Sequence, residues 1–439
     1  MTLLVNLVYQ SFLKLLQITS RLVVIKPKRS SKVLRGLYGR KQACQKLINW
    51  GENLADPSTL TFWIHASSVG EALQAKSVAE GLRRRLGEIQ IVFTFFSASA
   101  EKVAEHFPSE ISTYLPWDLT RDMAKVLDAL SPSAVLFTQK EVWPNLIEQA
   151  KLRGIPTMLV GGTLSSDAKR LRLPWRLSTS LSVRKVNAIG VISEKDGYRF
   201  ESLGVQKNQI KVTGDPAVDS VKDRVSSLGA QQTDLSFLGM CRSPLIVAGS
   251  IWSLDEDILV SALAEIRTVN PEVKMVLVPH EVFPVNIDRL NRKCIDRGLR
   301  VIRFSDRPQN ASMDNADVLL VDAIGVLPDL YTFATVAYVG GGFGRKGLHS
   351  VLEPAAVGAP TLFGPNHQGS LAAHGLLSQG AARVVSDSDD LCIVVGEYLS
   401  DRDELLKAGR NALGYIENNI GATDKTIDLI CDLLEPINH

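Results

Sequence analysis

The chain has 439 residues, of which 45% are hydrophobic, and this composition excludes a disordered, collagen-like or small disulfide-stapled protein. Lys and Arg total 49 against 47 Asp and Glu, so the net charge of +2 predicts no particular partner and no nucleic acid. The five cysteines are far apart and form no CxxC pair, which indicates neither a disulfide framework nor a zinc site and fits a reducing compartment.

The beginning of the chain is both apolar and basic, and it contains no acidic residue before Glu52. From Leu3 to Ile25 it is rich in Leu, Val, Ile and Phe, while polar residues recur every three or four positions and so share one stripe of a helix. The polar residues are Asn6, Gln10, Lys14, Gln17 and Arg21. The basic residues of this region are Lys14, Arg21, Lys26, Lys28, Arg29, Lys32, Arg35, Arg40 and Lys41.

We predict that residues 1–41 form a membrane-associated helix followed by a basic segment that lies on anionic headgroups. A helix that spans the membrane, a signal peptide, and a core helix with a basic tail are the alternatives. The signal peptide is the weakest of these, because no basic residue precedes Lys14 and no small-residue cleavage motif is evident.

From about Leu60 onward, short apolar runs alternate with longer amphipathic stretches such as 71–85, which is typical of parallel strands connected by helices. The predicted strands are 62–65, 89–96, 134–137, 157–160, 188–192, 245–248, 275–278, 318–321, 336–339, 361–363 and 383–385. We therefore predict an α/β protein with two Rossmann-like doubly wound domains, 42–220 and 221–439. Such sheets bind ligands at the carboxyl ends of their strands, so we expect the chemistry in a cleft that the two domains face.

The sharpest motif of the first half is the segment His65–Glu71, which follows a predicted strand and opens a helix. Ser68 and Glu71 have the spacing of a capping box, in which both side chains satisfy free backbone N–H groups. Alternatively, Gly70 allows a ligand to approach the backbone and Glu71 serves as a general base. The spacing does not separate these roles.

A glycine-rich segment, Gly340–Gly347, follows a strand of the second half. Its backbone can cradle a ligand, the following helix can offer N–H groups to a phosphate, and Arg345 and Lys346 add positive charge. The segment matches neither GxxxxGK[ST] nor GxGxxG, which argues against a P-loop ATPase and an ordinary dinucleotide enzyme. Glu353 is equally consistent with a cap, paired with Ser350, and with a contact to ribose hydroxyls.

Taken in order, the motifs resemble those of the bacterial 3-deoxy-D-manno-octulosonic acid (Kdo) transferases, over roughly Gly36 to Leu434. The matching segments are His65–Glu71 (HAxSVGE), Glu141–Asn145 (E-[IL]-W-P-N), Ala248–Ser250 (AGS), Pro279–Glu281 (PRH or PHE), Asp322–Tyr331 (D-x-x-G-x-L-x-x-L-Y) and Gly340–Ala356 (the glycine loop and LEPAA). This resemblance implies an inverting glycosyltransferase of the GT-B fold. It also implies that the last helix returns to the N-terminal domain.

The resemblance implies that Glu71 is the catalytic base and takes a proton from a glucosamine hydroxyl as that hydroxyl attacks Kdo. The implied acceptor-binding residues of the N-terminal domain are Ser68, Gly70, Glu141 and Trp143. The implied donor-binding residues of the C-terminal domain are Gly249, Ser250, Pro279, His280, Gly325, Gly341, Gly342, Phe343, Gly344, His349, Ser350 and Glu353. From its position alone, Trp143 is equally consistent with packing and with stacking on a sugar or lipid.

The implied substrates are CMP-Kdo as donor and a lipid A precursor as acceptor, with no metal or other cofactor, on the cytoplasmic face of the inner membrane. The chain departs from the common family pattern at several positions, among them His280 for arginine and Ser350 for asparagine. It therefore resembles a divergent branch, whose acceptor can differ. The alternatives are a GT-B transferase for another nucleotide sugar and a catalytically silent, membrane-bound nucleotide-sugar binding protein.

Overall fold

The computed structural model describes residues 9–11, 13–19, 32–165, 168–173, 175–226, 235–239, 243–307, 313–344 and 347–435. The chain divides into two compact units. The first unit comprises Met1–Ser220 together with Ile420–His439, and the second comprises Val221–Asn419. The last helix therefore belongs to the first unit.

The first unit contains a seven-stranded parallel sheet with the strand order β3-β2-β1-β4-β5-β6-β7. Its strands are β1 (Thr61–Ala66), β2 (Gln90–Phe95), β3 (Ile111–Tyr114), β4 (Ala134–Thr138), β5 (Thr157–Gly162), β6 (Ala188–Val191) and β7 (Ile210–Val212). Phe62 and Trp63, adjacent on β1, pack into different buried clusters, because successive side chains of a strand point to opposite faces. Both faces of the sheet are thus covered, as expected for parallel strands.

Helices connect these strands and build the two covering layers. Besides helical residues 9–11 and 13–19, the described helices of the first unit are Lys32–Asn53, Val69–Leu86, Glu101–Ala104, Thr120–Leu130, Pro144–Leu152, Trp175–Val183, Glu194–Ser202 and Ala422–Leu434. Helix Pro216–Ser226 contains the boundary between the two units.

The second unit repeats this architecture with the strand order β10-β11-β9-β8-β12-β13-β14, again all parallel. Its strands are β8 (Leu245–Ile251), β9 (Lys274–Pro279), β10 (Val301–Arg303), β11 (Val318–Leu320), β12 (Val336–Val339), β13 (Thr361–Phe363) and β14 (Ala382–Val384). Its helices are Ser236–Gly239, Ser253–Val269, Pro284–Asp296, Leu327–Tyr331, Leu352–Ala356, Leu371–Ser378, Ser388–Ser400 and Arg402–Glu417. The predicted pair of doubly wound domains is confirmed.

Three strands, β3, β7 and β10, escaped the sequence analysis, and all three lie at sheet edges. An edge strand has a neighbour on one side only and is covered less completely. All three residues of β10 are only partly buried, and two of the three residues of β7 are exposed. These strands therefore lack the continuous apolar run that identified the interior strands.

The basic segment needs a correction at Arg40, which we expected at a membrane surface. Arg40 is only 6% exposed, and its guanidinium carbon lies 3.8 Å from the centroid of the Phe96 ring. It also donates to the carbonyl oxygens of Gly36 and Phe96 at 2.9 and 2.5 Å, and burial lowers its pKa to about 10. Arg35 is paired with Glu101 at 2.9 Å. These two cations therefore make their contacts within the first unit.

The other predicted basic residues before Lys32 and after Lys14 lie outside the described residues. Among the residues that the structure describes, no helix combines the length and the apolar character needed to cross a membrane.

The last helix, Ala422–Leu434, packs against helix Val69–Leu86 of the first unit. Asp219 fixes its start, because the Asp219 carboxylate accepts from the N–H groups of Gly421 and Thr423 at 2.7 and 2.6 Å. At the helix crossing, a Cβ placed on Gly81 would lie 2.2 Å from Ile427 Cδ1. Gly81 is therefore required by the close approach of the two helices.

We predict that Gly81→Ala lowers the stability of the protein, although alanine favours helices, because overpacking of this kind costs about 1–3 kcal/mol. Ile427→Val removes the nearer of the two methyl groups that the new Cβ would meet, the other being Thr423 Cγ2 at 2.9 Å, so it should restore part of the loss in the double variant. Thermal unfolding measures both effects. Gly396→Ala is the matched control, since a Cβ on this helical glycine meets nothing within 4 Å. A Gly81→Ala protein as stable as the Gly396→Ala protein would contradict the packing argument.

Candidate functional site

The first sheet changes its winding direction between β1 and β4, and the predicted catalytic residues lie at this point. β2 and β3 lie on one side of β1, while β4 to β7 lie on the other. The loops that leave the carboxyl ends of β1 and β4 diverge here, and doubly wound sheets bind their ligands in such a crevice. Glu71 follows β1 and Glu141 follows β4, which places both carboxylates at this edge.

Glu71 lies in the first turn of helix Val69–Leu86 and is only 6% exposed. Its Oε2 accepts a hydrogen bond from the backbone N–H of Ser67 at 2.6 Å. Ser68 is the N-cap residue, but its side chain makes no capping bond, so the reciprocal capping box is not formed. Glu71 still accepts from one free backbone N–H, that of Ser67, whereas the Ser68 side chain accepts no capping bond.

Burial raises the pKa of Glu71 to about 7, and the nearby Glu141 carboxylate acts in the same direction. The Ser67 N–H bond and the positive charges of Lys140 and Arg170 oppose this shift. A carboxyl group with a pKa near neutrality can accept a proton during a reaction at physiological pH.

Ser67 connects the two carboxylates. Its backbone N–H binds Glu71, and its hydroxyl donates to Glu141 Oε2. The other carboxylate oxygen of Glu141 accepts from Arg170 at 3.2 Å. His65 Nε2 lies 3.3 Å from the Ser67 hydroxyl, and burial lowers the pKa of His65 to about 3, which keeps the imidazole neutral. The structure thus brings together residues that are 74 positions apart in the chain.

A pocket of about 370 Å³ lies beside this cluster in the first unit. Its lining combines the charged side chains of Lys140, Glu141 and Arg170 with the aromatic rings of Tyr9, Trp143 and Trp175. Glu71 is connected to this pocket through Ser67 and Glu141. A Cβ on Gly70 would meet nothing within 4 Å, so space remains beside this predicted acceptor residue.

Trp143 packs and also leaves one polar group available. Its ring stacks on Phe96 at a centroid distance of 5.2 Å and meets the edge of His65 at 5.9 Å. Its Nε1–H is buried and has no hydrogen-bond partner among the described residues. A buried donor without a partner is costly, so a ligand oxygen at this position would be favoured.

The predicted donor residues of the second unit gather at the carboxyl edge of β11, β9, β8 and β12, four neighbouring strands. The winding direction changes between β8, which ends at Ile251, and β12, which ends at Val339. Gly249, Ser250 and the glycine loop therefore flank one crevice. Ser250 has a positive φ of 54°, which is uncommon for a residue with a side chain and marks a constrained backbone.

Asp255, which the sequence analysis missed, ties these two loops together. It is 1% exposed, and its Oδ2 accepts from the N–H groups of Trp252 and Gly341 at 2.7 and 3.1 Å. Its Oδ1 accepts from the Tyr338 hydroxyl at 2.7 Å. The position of Asp255 three residues after Trp252, at a helix start, was the available signal.

Two predicted donor residues, His280 and His349, lie in contact. Their rings stack with centroids 4.4 Å apart, and His280 also lies 4.4 Å from the Trp252 ring. Trp252 Nε1 donates to His349 Nε2 at 2.9 Å. Pro279 and Trp252 line a small adjoining cavity of about 180 Å³.

Close contacts between backbone segments determine which positions of the glycine loop require glycine. A Cβ on Gly342 would lie 2.5 Å from Gly364 N, and one on Gly341 would lie 2.2 Å from Gly347 O. Gly341 also has a φ of 97° and Gly325 a φ of 98°, values that favour glycine. Gly344 closes the turn by donating to the Gly341 carbonyl at 3.4 Å, and the half-buried Phe343 packs against the core of this unit.

Two expectations about the end of this loop differ from the structure. The helix after it, Leu352–Ala356, has five residues, too short for the macrodipole that we expected at a phosphate. Its N-cap is Val351, so Ser350 and Glu353 form no capping box. Glu353 instead accepts from Arg224 at 3.3 Å, and burial raises its pKa. Arg345 and Lys346 lie outside the described residues.

Across the residues that the structure describes, no group of three or more His, Cys, Asp or Glu side chains is arranged to hold a metal ion. Besides Asp255, the sequence analysis missed Arg170 and the buried Asp118, whose partners lie far away along the chain. Ser67 lies within the segment His65–Glu71, but its role was missed because its hydroxyl partner, Glu141, is 74 positions away.

Residues 32–220 match the family model described as 3-deoxy-D-manno-octulosonic-acid transferase (kdotransferase). The 3-deoxy-D-manno-octulosonic acid transferase of Haemophilus influenzae is 27% identical over 392 residues, covering 87% of this chain and 89% of the relative. The enzyme of the same name from Chlamydophila psittaci is 29% identical over 349 residues, covering 78% of each chain.

Solved structures show the same fold at low identity. A UDP-GlcNAc 2-epimerase from Neisseria meningitidis bound to UDP-GlcNAc has a TM-score of 0.61 at 13% identity, covering 85% of this chain and 100% of that one. A glycosyltransferase from Rickettsia africae has a TM-score of 0.58 at 12% identity, covering 86% and 99%. The two-domain GT-B fold is thereby confirmed. The family model matches residues 32–220, and the relatives named 3-deoxy-D-manno-octulosonic acid transferase, at 27% and 29% identity, extend this similarity over most of the chain.

Proposed function

We propose that this chain is an inverting glycosyltransferase that moves Kdo from CMP-Kdo to a lipid A precursor. The observation that carries the proposal is the buried Glu71 carboxylate, whose pKa of about 7 suits a general base and whose partner Ser67 connects it to a ligand-sized pocket. The match of residues 32–220 to the family model, the similarity to the relatives and the motif His65–Glu71 support the same assignment.

The proposed reaction needs one base and one stabilised leaving group. Glu71 removes the proton of an acceptor hydroxyl while its oxygen forms a bond to the anomeric carbon of Kdo. The bond between that carbon and the phosphate oxygen breaks, and CMP leaves with the electron pair. Attack from the opposite face inverts the anomeric centre.

The pocket in the first unit fits an acceptor that combines sugar and lipid. The cationic groups of Lys140 and Arg170 can bind anionic substituents, and the unpartnered Nε1–H of Trp143 can donate to a sugar oxygen. The rings of Tyr9 and Trp175 offer apolar surface to an acyl chain. We propose that Ser68, Gly70, Glu141 and Trp143 form the acceptor side of the reaction centre.

The second unit offers a donor site at the crevice between β8 and β12. The backbone N–H groups of Gly342 and Phe343 donate to no acceptor among the described residues, so they can bind the leaving phosphate. The stacked His280 and His349 can approach the same ligand, and Glu353 can accept from ribose hydroxyls. We propose that these groups stabilise the charge of CMP without a metal ion.

A membrane surface is the proposed location, on the cytoplasmic face of the inner membrane. The N-terminal helix, helical at residues 9–11 and 13–19, exposes Leu15 and Ile18, whose exposed fractions are 59% and 56%. Leu173 and Trp175 are 72% and 61% exposed, and Trp175 lies at the pocket. Exposed apolar side chains of this size favour contact with lipid.

We predict that wild-type protein transfers Kdo from CMP-Kdo to a tetraacylated disaccharide lipid, and that Glu71→Gln lowers turnover by roughly 10²- to 10⁴-fold, because it removes the proton acceptor. For the wild type, kcat/KM should rise with pH and level off above about 7, where Glu71 is ionised. Glu105→Gln, a change at an exposed position, is the control. Near wild-type turnover in Glu71→Gln would contradict the assignment of Glu71 as the base. Transfer from a UDP-sugar in place of CMP-Kdo would contradict the assignment of CMP-Kdo as the donor.

The same variant should change the pH dependence of stability. Because burial raises the pKa of Glu71 from 4.5 to about 7, folding favours the protonated carboxyl. This contribution to the free energy of unfolding is fully present below pH 4.5 and is lost as the pH rises through about 7. Glu71→Gln cannot ionise, so at pH 8 it should melt above the wild type, by roughly 2–4 °C for each kcal/mol recovered. Equal melting temperatures at pH 5 and pH 8 in both proteins would contradict the shifted pKa.

For the donor site, we predict that Glu353→Gln weakens CMP binding roughly tenfold to a hundredfold, the effect of losing a hydrogen bond to a charged group. Calorimetric titration with CMP measures the affinity. Glu272→Gln, at an exposed position of the same unit, should leave it unchanged. If Glu353→Gln binds CMP as tightly as the wild type, the ribose is bound by other residues.

A further inference from the structure

Tyr9 and two residues of the polar stripe, Gln10 and Gln17, join the N-terminal helix to other parts of the first unit. Tyr9 donates from its hydroxyl to Asp118 Oδ2 at 2.9 Å. Gln10 Nε2 lies 2.7 Å from Asn145 Oδ1 and 2.7 Å from Thr120 Oγ1. Gln17 Nε2 donates to Asp122 Oδ2 at 2.8 Å.

Apolar packing supports the same position of the N-terminal helix. Leu13 is only 4% exposed, in a cluster with Trp117 and Leu119. The helix therefore has a specific docking position on the protein, set by both hydrogen bonds and apolar packing.

Asp118 connects this docking position to the pocket. It is completely buried and accepts from the backbone N–H groups of Asn145 and Leu146 at 2.9 and 2.8 Å. These N–H groups belong to the first turn of helix Pro144–Leu152, whose N-cap is Trp143. The carboxylate that binds Tyr9 therefore also fixes the helix start that follows the pocket residues Glu141 and Trp143.

Because Asp118 is completely buried, its carboxyl group depends on donors within the protein, and the Tyr9 hydroxyl is one of them. Burial raises the pKa of Asp118 to about 7, while its hydrogen bonds from Asn145, Tyr9 and Leu146 lower it. Without the Tyr9 hydroxyl, the buried carboxylate would keep its two backbone donors and lose its side-chain donor. Tyr9 and Trp143 both line the pocket, so Tyr9 forms part of the pocket wall and, through Asp118, also supports the helix start next to Trp143.

We propose that the N-terminal helix is a positioning element of the acceptor site, because Tyr9 and Gln10 hold Asp118 and Asn145 and thereby order the segment Glu141–Trp143 for a glycolipid acceptor. This inference rests on the proposed function of the pocket. It assigns the helix a role in acceptor binding that is separate from attachment to a membrane. Tyr9 and Gln10 are positioning residues, since they act through Asp118 and Asn145.

The test uses the full-length protein and a detergent-dispersed tetraacylated disaccharide lipid, so that membrane attachment does not contribute. The double variant Tyr9→Phe/Gln10→Leu keeps the ring at the pocket wall but removes the polar contacts to Asp118, Asn145 and Thr120. We expect its KM for the lipid to rise about tenfold, the effect of losing a hydrogen bond to a charged group. Its KM for CMP-Kdo and the thermal shift produced by CMP should stay at the wild-type values.

Two further variants separate positioning from anchoring. Ser11→Ala removes an exposed hydroxyl from the same helix and should keep the wild-type KM for the lipid. Leu15→Ser/Ile18→Ser should reduce sedimentation with anionic phospholipid vesicles while keeping that KM in detergent. A lipid KM within twofold of wild type in Tyr9→Phe/Gln10→Leu would overturn the proposal, as would an equal rise in Leu15→Ser/Ile18→Ser.

Hydrogen exchange at the amides of Asn145 and Leu146 keeps this inference distinct from the proposed function. If wild-type protein transfers no Kdo, the proposed function fails. Faster exchange of these amides in Tyr9→Phe/Gln10→Leu than in Ser11→Ala would still support the coupling. Unchanged exchange rates of these two amides would overturn the proposed coupling, whether or not the protein transfers Kdo.

Discussion

A carboxylate buried at the carboxyl end of β1 constrains the candidate site of the first unit. Glu71 is 6% exposed, and a buried carboxylate without hydrogen-bond donors would be strongly disfavoured. The N–H of Ser67 supplies one donor, and the hydroxyl of Ser67 is directed to Glu141, which Arg170 holds from its other side. The loops after β1 and β4 and residue Arg170 are therefore positioned together, and the same burial raises the pKa of Glu71 to the range that a base needs.

Buried acids also organise the other parts of the molecule. In the second unit, Asp255 accepts from N–H groups of the loops after β8 and β12, and so fixes both sides of the crevice that we propose as the donor site. In the first unit, Asp118 performs the same task for the start of helix Pro144–Leu152. Each carboxylate accepts several donors from different segments, which makes the loop geometry dependent on a single buried side chain.

The amphipathic pattern of the N-terminal helix was open to more than one orientation. The helix directs Gln10 and Gln17 toward hydrogen-bond partners on the first unit and leaves Leu15 and Ile18 exposed. This orientation combines docking on the protein with an apolar outer face. The two proposed roles, membrane attachment and positioning of the acceptor site, therefore fall on different faces of one helix.

The sequence by itself determined the two doubly wound domains, the interior strands and the ordered family motifs, because continuous apolar runs and local spacing carry that information. It did not identify β3, β7 and β10, which lie at sheet edges and lack such runs. The tertiary structure decided that Glu71 forms no reciprocal box with Ser68, that Arg40 is buried, and that Ser67, Asp118 and Asp255 hold the loops. Several of these contacts join residues distant along the chain, as between Ser67 and Glu141, so only the folded chain, which sets burial and hydrogen bonding together, could assign their roles.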